Sequence, residues 1–292
     1  MNAVKGIFWM LVTTILFAVV TALVRYLGSD LPASVSAFIR YGLSTVFMIP
    51  LILHHFIREA SPQRLKLYGF RGLTHGLGVI LWFFAMARLP VAEVTAIGYM
   101  SPIFVTLAAV FVFGERLYFR RITALLAGFG GMVLIVRPDM GGIQIGQLAM
   151  VMAAALFAVS YLLAKHISGI DKPLVVLAGL GAGVTMTLAP FAAWHWVTPT
   201  LEETAWLALV ALLATLGHFT MTLALKLAPL NVTQPVNYLQ LVWATLIGYS
   251  YFGETIDAWF ISGAAMIILS TAYISLREQQ LAIRQPKPPL QP

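Results

Sequence analysis

His75 and His218 are the histidines that fall well inside the apolar stretches of this chain. All 11 Asp and Glu lie at the ends of those stretches, in connections or in the tail. A proton-coupled carrier needs an intramembrane carboxylate or histidine, so an acidic proton route is absent. A histidine in lipid either faces a cavity or, neutral, donates to a carbonyl across a packed interface. Both readings are open for His75; the cavity is favoured for His218, which lies deeper in its stretch. Gln234, Asn237, Tyr238 and Leu241 recur at i, i+3, i+4 and i+7, one face of a helix. Three hydrogen-bonding side chains on that face are costly against lipid, so the face must look inward. Gln240 lies off it, free to bond a neighbouring helix. Tyr99 stands in the matching place of an earlier stretch, beside Ser101 and Pro102. Trp82 and Tyr161 add amphipathic rings; Trp82 is mid-stretch, which argues against an interfacial belt and leaves packing open. Tyr99, Trp82, His75, Tyr161, His218, Gln234, Asn237 and Tyr238 are therefore the candidate wall of a solute site. Pro102 and Pro235 each remove an intrahelical hydrogen bond and are expected to bend their helices, as gates or as static kinks. Arg40, near the end of its stretch, is read as snorkelling to the interface and is assigned no substrate carboxylate.

Positioning such residues falls to elements set by composition. Of 292 residues, 60% are hydrophobic and 10% charged, with a mean hydropathy of +0.88. Soluble domains carry roughly 25% charged residues, so this chain cannot clothe a water-facing surface and reads as polytopic in a membrane. Ten apolar stretches are long enough or nearly so: about 6–25, 34–54, 71–88, 93–113, 121–137, 146–165, 173–194, 204–225, 232–252 and 258–276. The first is longer than the roughly 7–15 apolar residues of a signal peptide and is taken as a span. The polar segment from His54 to Lys66 is expected to be the longest internal connection, and the end from Arg277 a frayed helix with a disordered stub. The net charge of +7 suits positive cytoplasmic loops better than nucleic-acid binding. With the N-terminus in the cytoplasm, that side collects most of the Lys and Arg; the other side receives Arg25, Arg88 and Arg137. There is no cysteine, so disulfide and thiolate chemistry are excluded.

The chain is also duplicated. LPVAEVTAIGYMSPIFVTLAAVFVFGE from Leu89 is echoed by APLNVTQPVNYLQLVWATLIGYSYFGE from Ala228, so that Pro90, Tyr99, Gly114 and Glu115 fall on Pro229, Tyr238, Gly253 and Glu254. LFAV at 16–19 recurs at 156–159, Gly6 matches Gly146, and Pro50 matches Pro190. Spans one to five are thus echoed by six to ten. Five is odd, so the copies should sit upside down to one another, an arrangement common in secondary transporters; duplication kept only for folding is the plainer alternative. The expected fold is all-α, an integral membrane protein of ten transmembrane helices as two inverted five-helix repeats, 1–140 and 141–277, with a tail at 278–292.

These residues resemble a known family. Two five-span halves, each with a fourth span that ends Gly-Glu, the Pro102 of YMSPIFV, the FIRY at 38–41 and the small-residue span from Ala127 are similar to the EamA family of the drug/metabolite transporter superfamily. The resemblance covers about residues 6–277. Leu241 stands where the second half would be expected to carry a proline, with Pro235 earlier instead. The aromatic and polar lining resembles that of bacterial aromatic amino acid exporters. The resemblance implies export of small metabolites, amino acids with aromatic or apolar side chains among them, across a bacterial inner membrane, with both termini cytoplasmic and no cofactor or metal. The implied partners are a small-molecule substrate and membrane lipids, with no nucleic acid. A monomer is expected; Gly263, Ala264 and Ala265 offer a dimer face, although packing within one chain is the preferred use of the glycine clusters. A neutral wall disfavours phosphorylated solutes and nucleotide sugars. No G-x-x-x-x-G-K loop is present, so the chain itself is not an ATP-driven pump. The rival reading is an integral-membrane enzyme acting on lipid or quinone, which would need clustered His, Asp or Glu near one interface.

Overall fold

In the computed structural model the residues described are 3–284, apart from 29, 60, 102, 106, 108–118, 137–142, 169–170, 229–232 and 234–235. Lipid leaves no water to satisfy backbone groups, so an apolar chain must bond them internally. The described residues do so as ten helices: α1 Ala3–Leu27, α2 Ala33–Glu59, α3 Pro62–Met86, α4 Val91–Gly98, α5 Phe119–Val136, α6 Ile145–Ser168, α7 Pro173–Trp194, α8 Leu201–Leu227, α9 Leu239–Phe252 and α10 Ala258–Arg284. Among the described residues, stretches within α1, α6, α7 and α8 are long and apolar enough to cross a membrane by composition alone. Several hydroxyls inside the helices turn back onto their own backbone, as Thr13 does to the Trp9 carbonyl and Thr185 to that of Gly181 (both 2.8 Å).

Three local features depart from the expectation. The polar segment 54–66 is mostly helix, with α2 reaching Glu59 and α3 starting at Pro62. Ser61 caps α3 by accepting from the Arg64 amide, and Pro62 stands at the first helical position, where its missing N–H costs nothing. The fourth and ninth spans are not continuous. α4 ends at Gly98, where Tyr99 and Met100 close a tight turn onto Ala96 and Ile97, and α9 begins only after a turn at Tyr238. The predicted bends lie close by, but Pro102 and Pro235 are outside the described residues.

Packing crosses between the two halves. α1 lies chiefly on α8, and α6 on α3; α2 faces α7, α4 faces α9 and α5 faces α10. Advance every label by five, and this set of pairs maps onto itself. Close approach is built on small residues: a Cβ on Gly72 of α3 would come within 2.5 Å of the Gly183 backbone in α7. Gly131 in α5 meets Gly263 in α10, so these glycines pack within the chain. The innermost element is α4, where Val91, Val94 and Ile97 are fully buried, together with Leu89, Met100 and Ile103 beside it. Large apolar side chains are also plentiful outside, Phe47, Met186 and Leu269 among them. An apolar exterior of that extent suits hydrocarbon.

The bundle has two distinct ends. At one, Arg25 donates to the Met86 carbonyl, Tyr26 meets Trp206, and Phe38 meets Trp196. Glu254, after α9, accepts the Val91 amide on both carboxylate oxygens at 2.8 and 3.0 Å, and Gln147 donates to Glu93 there. Gly253 has φ 63°, the left-handed turn that returns Glu254 toward α4. At the other end, Asp171 accepts from Arg64 at 3.2 Å and from the Tyr68 hydroxyl at 2.9 Å, while Arg71 donates to the Val176 carbonyl. Burial and the Asp171 hydrogen bond push the Tyr68 phenol up, so it stays a donor.

Candidate functional site

Helix α2 carries Arg40, Tyr41, Ser44 and Met48 on one side, at i, i+1, i+4 and i+8. This side faces Leu177, Leu180 and Gly181 of α7 and Thr215 and His218 of α8 around a small central cavity. Its volume, about 20 Å³, has room for about one water. An organic solute therefore needs the helices to move apart.

Arg40 is the residue that sequence reasoning misplaced. It does not snorkel: the side chain is 6% exposed, and its Nε is buried with no hydrogen-bond partner. No carboxylate or carbonyl accepts from its guanidinium among the described residues. Its carbon Cζ lies 4.1 Å from the Tyr41 ring centroid. A contact of that type contributes about 0.5–2 kcal/mol, well below the several kcal/mol that dehydrating an ion costs. A charge held at such a deficit points to a function outside folding. The signal was present as an arginine within an apolar stretch, followed at i+1 and i+4 by Tyr41 and Ser44.

The two histidines differ. His75 is fully engaged: its Nε2 and the Tyr41 hydroxyl are 2.9 Å apart, and its Nδ1 and the Ser160 hydroxyl 3.1 Å apart. It thus braces α2 and α6 against α3. His218 lines the cavity, and among the described residues no hydrogen bond holds its ring. Each ring nonetheless touches the phenylalanine of the other half's LFAV segment, His75 with Phe157 and His218 with Phe17, both at 5.0 Å. Those phenylalanines lie over Gly78 and Gly217, where a Cβ would sit 2.9 and 2.8 Å from the ring. The histidines are not at equivalent positions, yet the notches that receive their neighbours are, at an offset of 139.

The remaining candidates fall into separate places. Tyr99 and Tyr238 meet edge-to-face at 5.3 Å, and the Tyr99 hydroxyl donates to the Asn237 carbonyl at 2.8 Å. This contact closes α4 against the start of α9 and borders no described cavity; Asn237 contributes its backbone there. Trp82 packs edge-on to Phe83 against the core. Tyr161 is 46% exposed on α6. Gln234 lies outside the described residues. Among the described residues no cluster of His, Asp and Glu could hold a metal.

The profile of the EamA-like transporter family matches residues 4–137 and again 144–276. The chain belongs to that family and is a membrane transporter. It is similar to an S-adenosylmethionine uptake transporter of Rickettsia bellii, 28% identical over 276 residues that cover 94% of each chain. It is also similar to a riboflavin transporter of Rhizobium johnstonii, 30% identical over 301 residues that cover 98% of this chain and 95% of that one. A solved crystal structure shares the fold with a TM-score of 0.59 and 20% identity, over 96% of this chain and 99% of that chain. None of these relatives is named for amino-acid export, so they lend no support to that substrate.

Proposed function

We propose that the chain is a secondary carrier of a bacterial inner membrane, moving a small metabolite by alternating access through the cavity among α2, α7 and α8. The metabolite joins an aromatic ring to a polar head. That class includes aromatic amino acids, S-adenosylmethionine and riboflavin, and so accommodates both the lining and the relatives. The observation that carries the reading is the exchange of packing partners between halves. α1 and α3 finish at the end where α6 starts, as the Arg25–Met86 and Glu93–Gln147 contacts indicate. Equivalent helices therefore run in opposite directions, which supports an inverted repeat and hence two equivalent ways to close. The basic end, with Arg64 and Arg71, is the cytoplasmic one, and the tryptophan-rich end faces out.

Without an acidic residue mid-span, transport is facilitative, and its direction follows the gradient rather than a fixed sense of export. Vesicles reconstituted with the purified protein test this. Counterflow of a radiolabelled aromatic metabolite should saturate and persist without a pH gradient. Strict dependence on that gradient, abolished by replacing both His75 and His218, would overturn the facilitative reading. The chain lacks cysteine, so single cysteines are clean reporters. Lys66→Cys and Thr255→Cys should label from opposite sides; labelling from one side would sink the inverted arrangement.

A further inference from the structure

Arg40 is over nine-tenths buried, has no counter-ion among the described residues, and lines the cavity. Every other polar group that lines it with Arg40 is neutral or weakly basic: Tyr41, Ser44, Thr215 and His218. The site therefore holds one permanent positive charge and no negative one. A guanidinium presents its donors as a planar fork that matches a carboxylate in bidentate fashion. One cation balances one anion. A phosphate dianion would leave a negative charge uncompensated in a dry pocket, at a penalty that a single arginine does not offset. We propose that Arg40 is the anchor for a substrate carboxylate, so that the transported solute is a monocarboxylate rather than a neutral or phosphorylated compound. This rests on the carrier reading above and narrows its substrate class.

The repeat sharpens the argument. At the offset of 140 that pairs Thr45 with Thr185 and Pro50 with Pro190, the counterparts of Arg40 and Tyr41 are Leu180 and Gly181. Thr45 and Thr185 touch each other, 3.0 Å apart. Leu180 and Gly181 line the same cavity that Arg40 and Tyr41 do. The cavity therefore sits where the two halves meet as equivalents, and one half alone supplies the charge. At the equivalent positions the other supplies Leu180 and Gly181, neither of which carries a charge. A charge needed for folding the repeat would be expected in both copies.

The test pairs solutes that differ by the carboxylate alone: L-tryptophan with tryptamine, and S-adenosylmethionine with decarboxylated S-adenosylmethionine. Ligand-induced shifts in melting temperature report binding by the purified protein, and vesicle uptake reports transport. Wild type should bind at least one carboxylate member about tenfold more tightly than its partner. Arg40→Gln should erase that preference, bringing the two members of each pair to similar affinity, and Arg40→Lys should restore part of it. Arg40→Met should raise the melting temperature without ligand, because an uncompensated buried charge is gone. Equal binding of paired solutes by wild type, a preference that survives in Arg40→Gln, or no binding of either carboxylate would each overturn the inference. Carboxylate binding that depends on Arg40 but is accompanied by no uptake would instead overturn the carrier reading and leave Arg40 its role.

Discussion

The duplication treats two contacts near the middle of the bundle in opposite ways. Where α4 meets α9, it has kept like against like: Tyr99 meets Tyr238 edge-to-face, and both helices break at these residues. Where α2 meets α7, it has let the partners diverge, with Arg40 and Tyr41 facing Leu180 and Gly181 across a water-sized space. The matched contact has every mark of a joint, the mismatched one of a receptor. A joint must serve both closed forms of the carrier equally, so identical halves suit it. A receptor must hold a solute with two different ends, so identical halves would fail it.

If this division holds, substitutions at the joint should cost stability and substitutions at the receptor should cost transport. The largest effect is expected for Tyr99→Ala, which removes a packed ring and orphans the Asn237 carbonyl. It should lower unfolding free energy by about 3–5 kcal/mol, read from denaturant unfolding in detergent. A fully stable but inactive variant would break the division by making Tyr99 part of the wall. Next comes His218→Leu, which keeps an apolar side chain beside Phe17. Initial uptake should fall about tenfold, equivalent to about 1.4 kcal/mol, with the melting temperature held. The smallest is Glu254→Gln, which retains a side-chain acceptor for the Val91 amide but removes the negative charge at the start of α4. About 0.3–1 kcal/mol should be lost, visible as faster amide exchange at Val91. No change in exchange would demote this contact to a passive one.

The sequence disclosed the ten described helices and the duplication because both are periodic signals in apolarity and spacing. It was less informative wherever a helix turns a side chain toward a neighbour. Arg40 was assigned by its distance along the chain from a span end, whereas the pairing of α2 with α7 and α8 decides that it points inward. His75 and His218 looked alike in sequence and differ in what surrounds them: Tyr41 and Ser160 engage one, and open space receives the other. Trp82 and Tyr161 were chosen for ring type, which says nothing about direction; one is half-buried against the core, and the other is exposed on α6. The bends expected at Pro102 and Pro235 lie outside the described residues. Pro102 follows the break at Tyr99, where a missing N–H loosens the turn before it, whereas Pro235 precedes the break at Tyr238, which that reason does not cover.

The crossed arrangement of α1 on α8 and α6 on α3 also bears on assembly. Neither set of five helices owns a complete interior; each is lined by the other. A gene split between α5 and α6 should yield two fragments that are degraded when made alone yet recover a working transporter when made together.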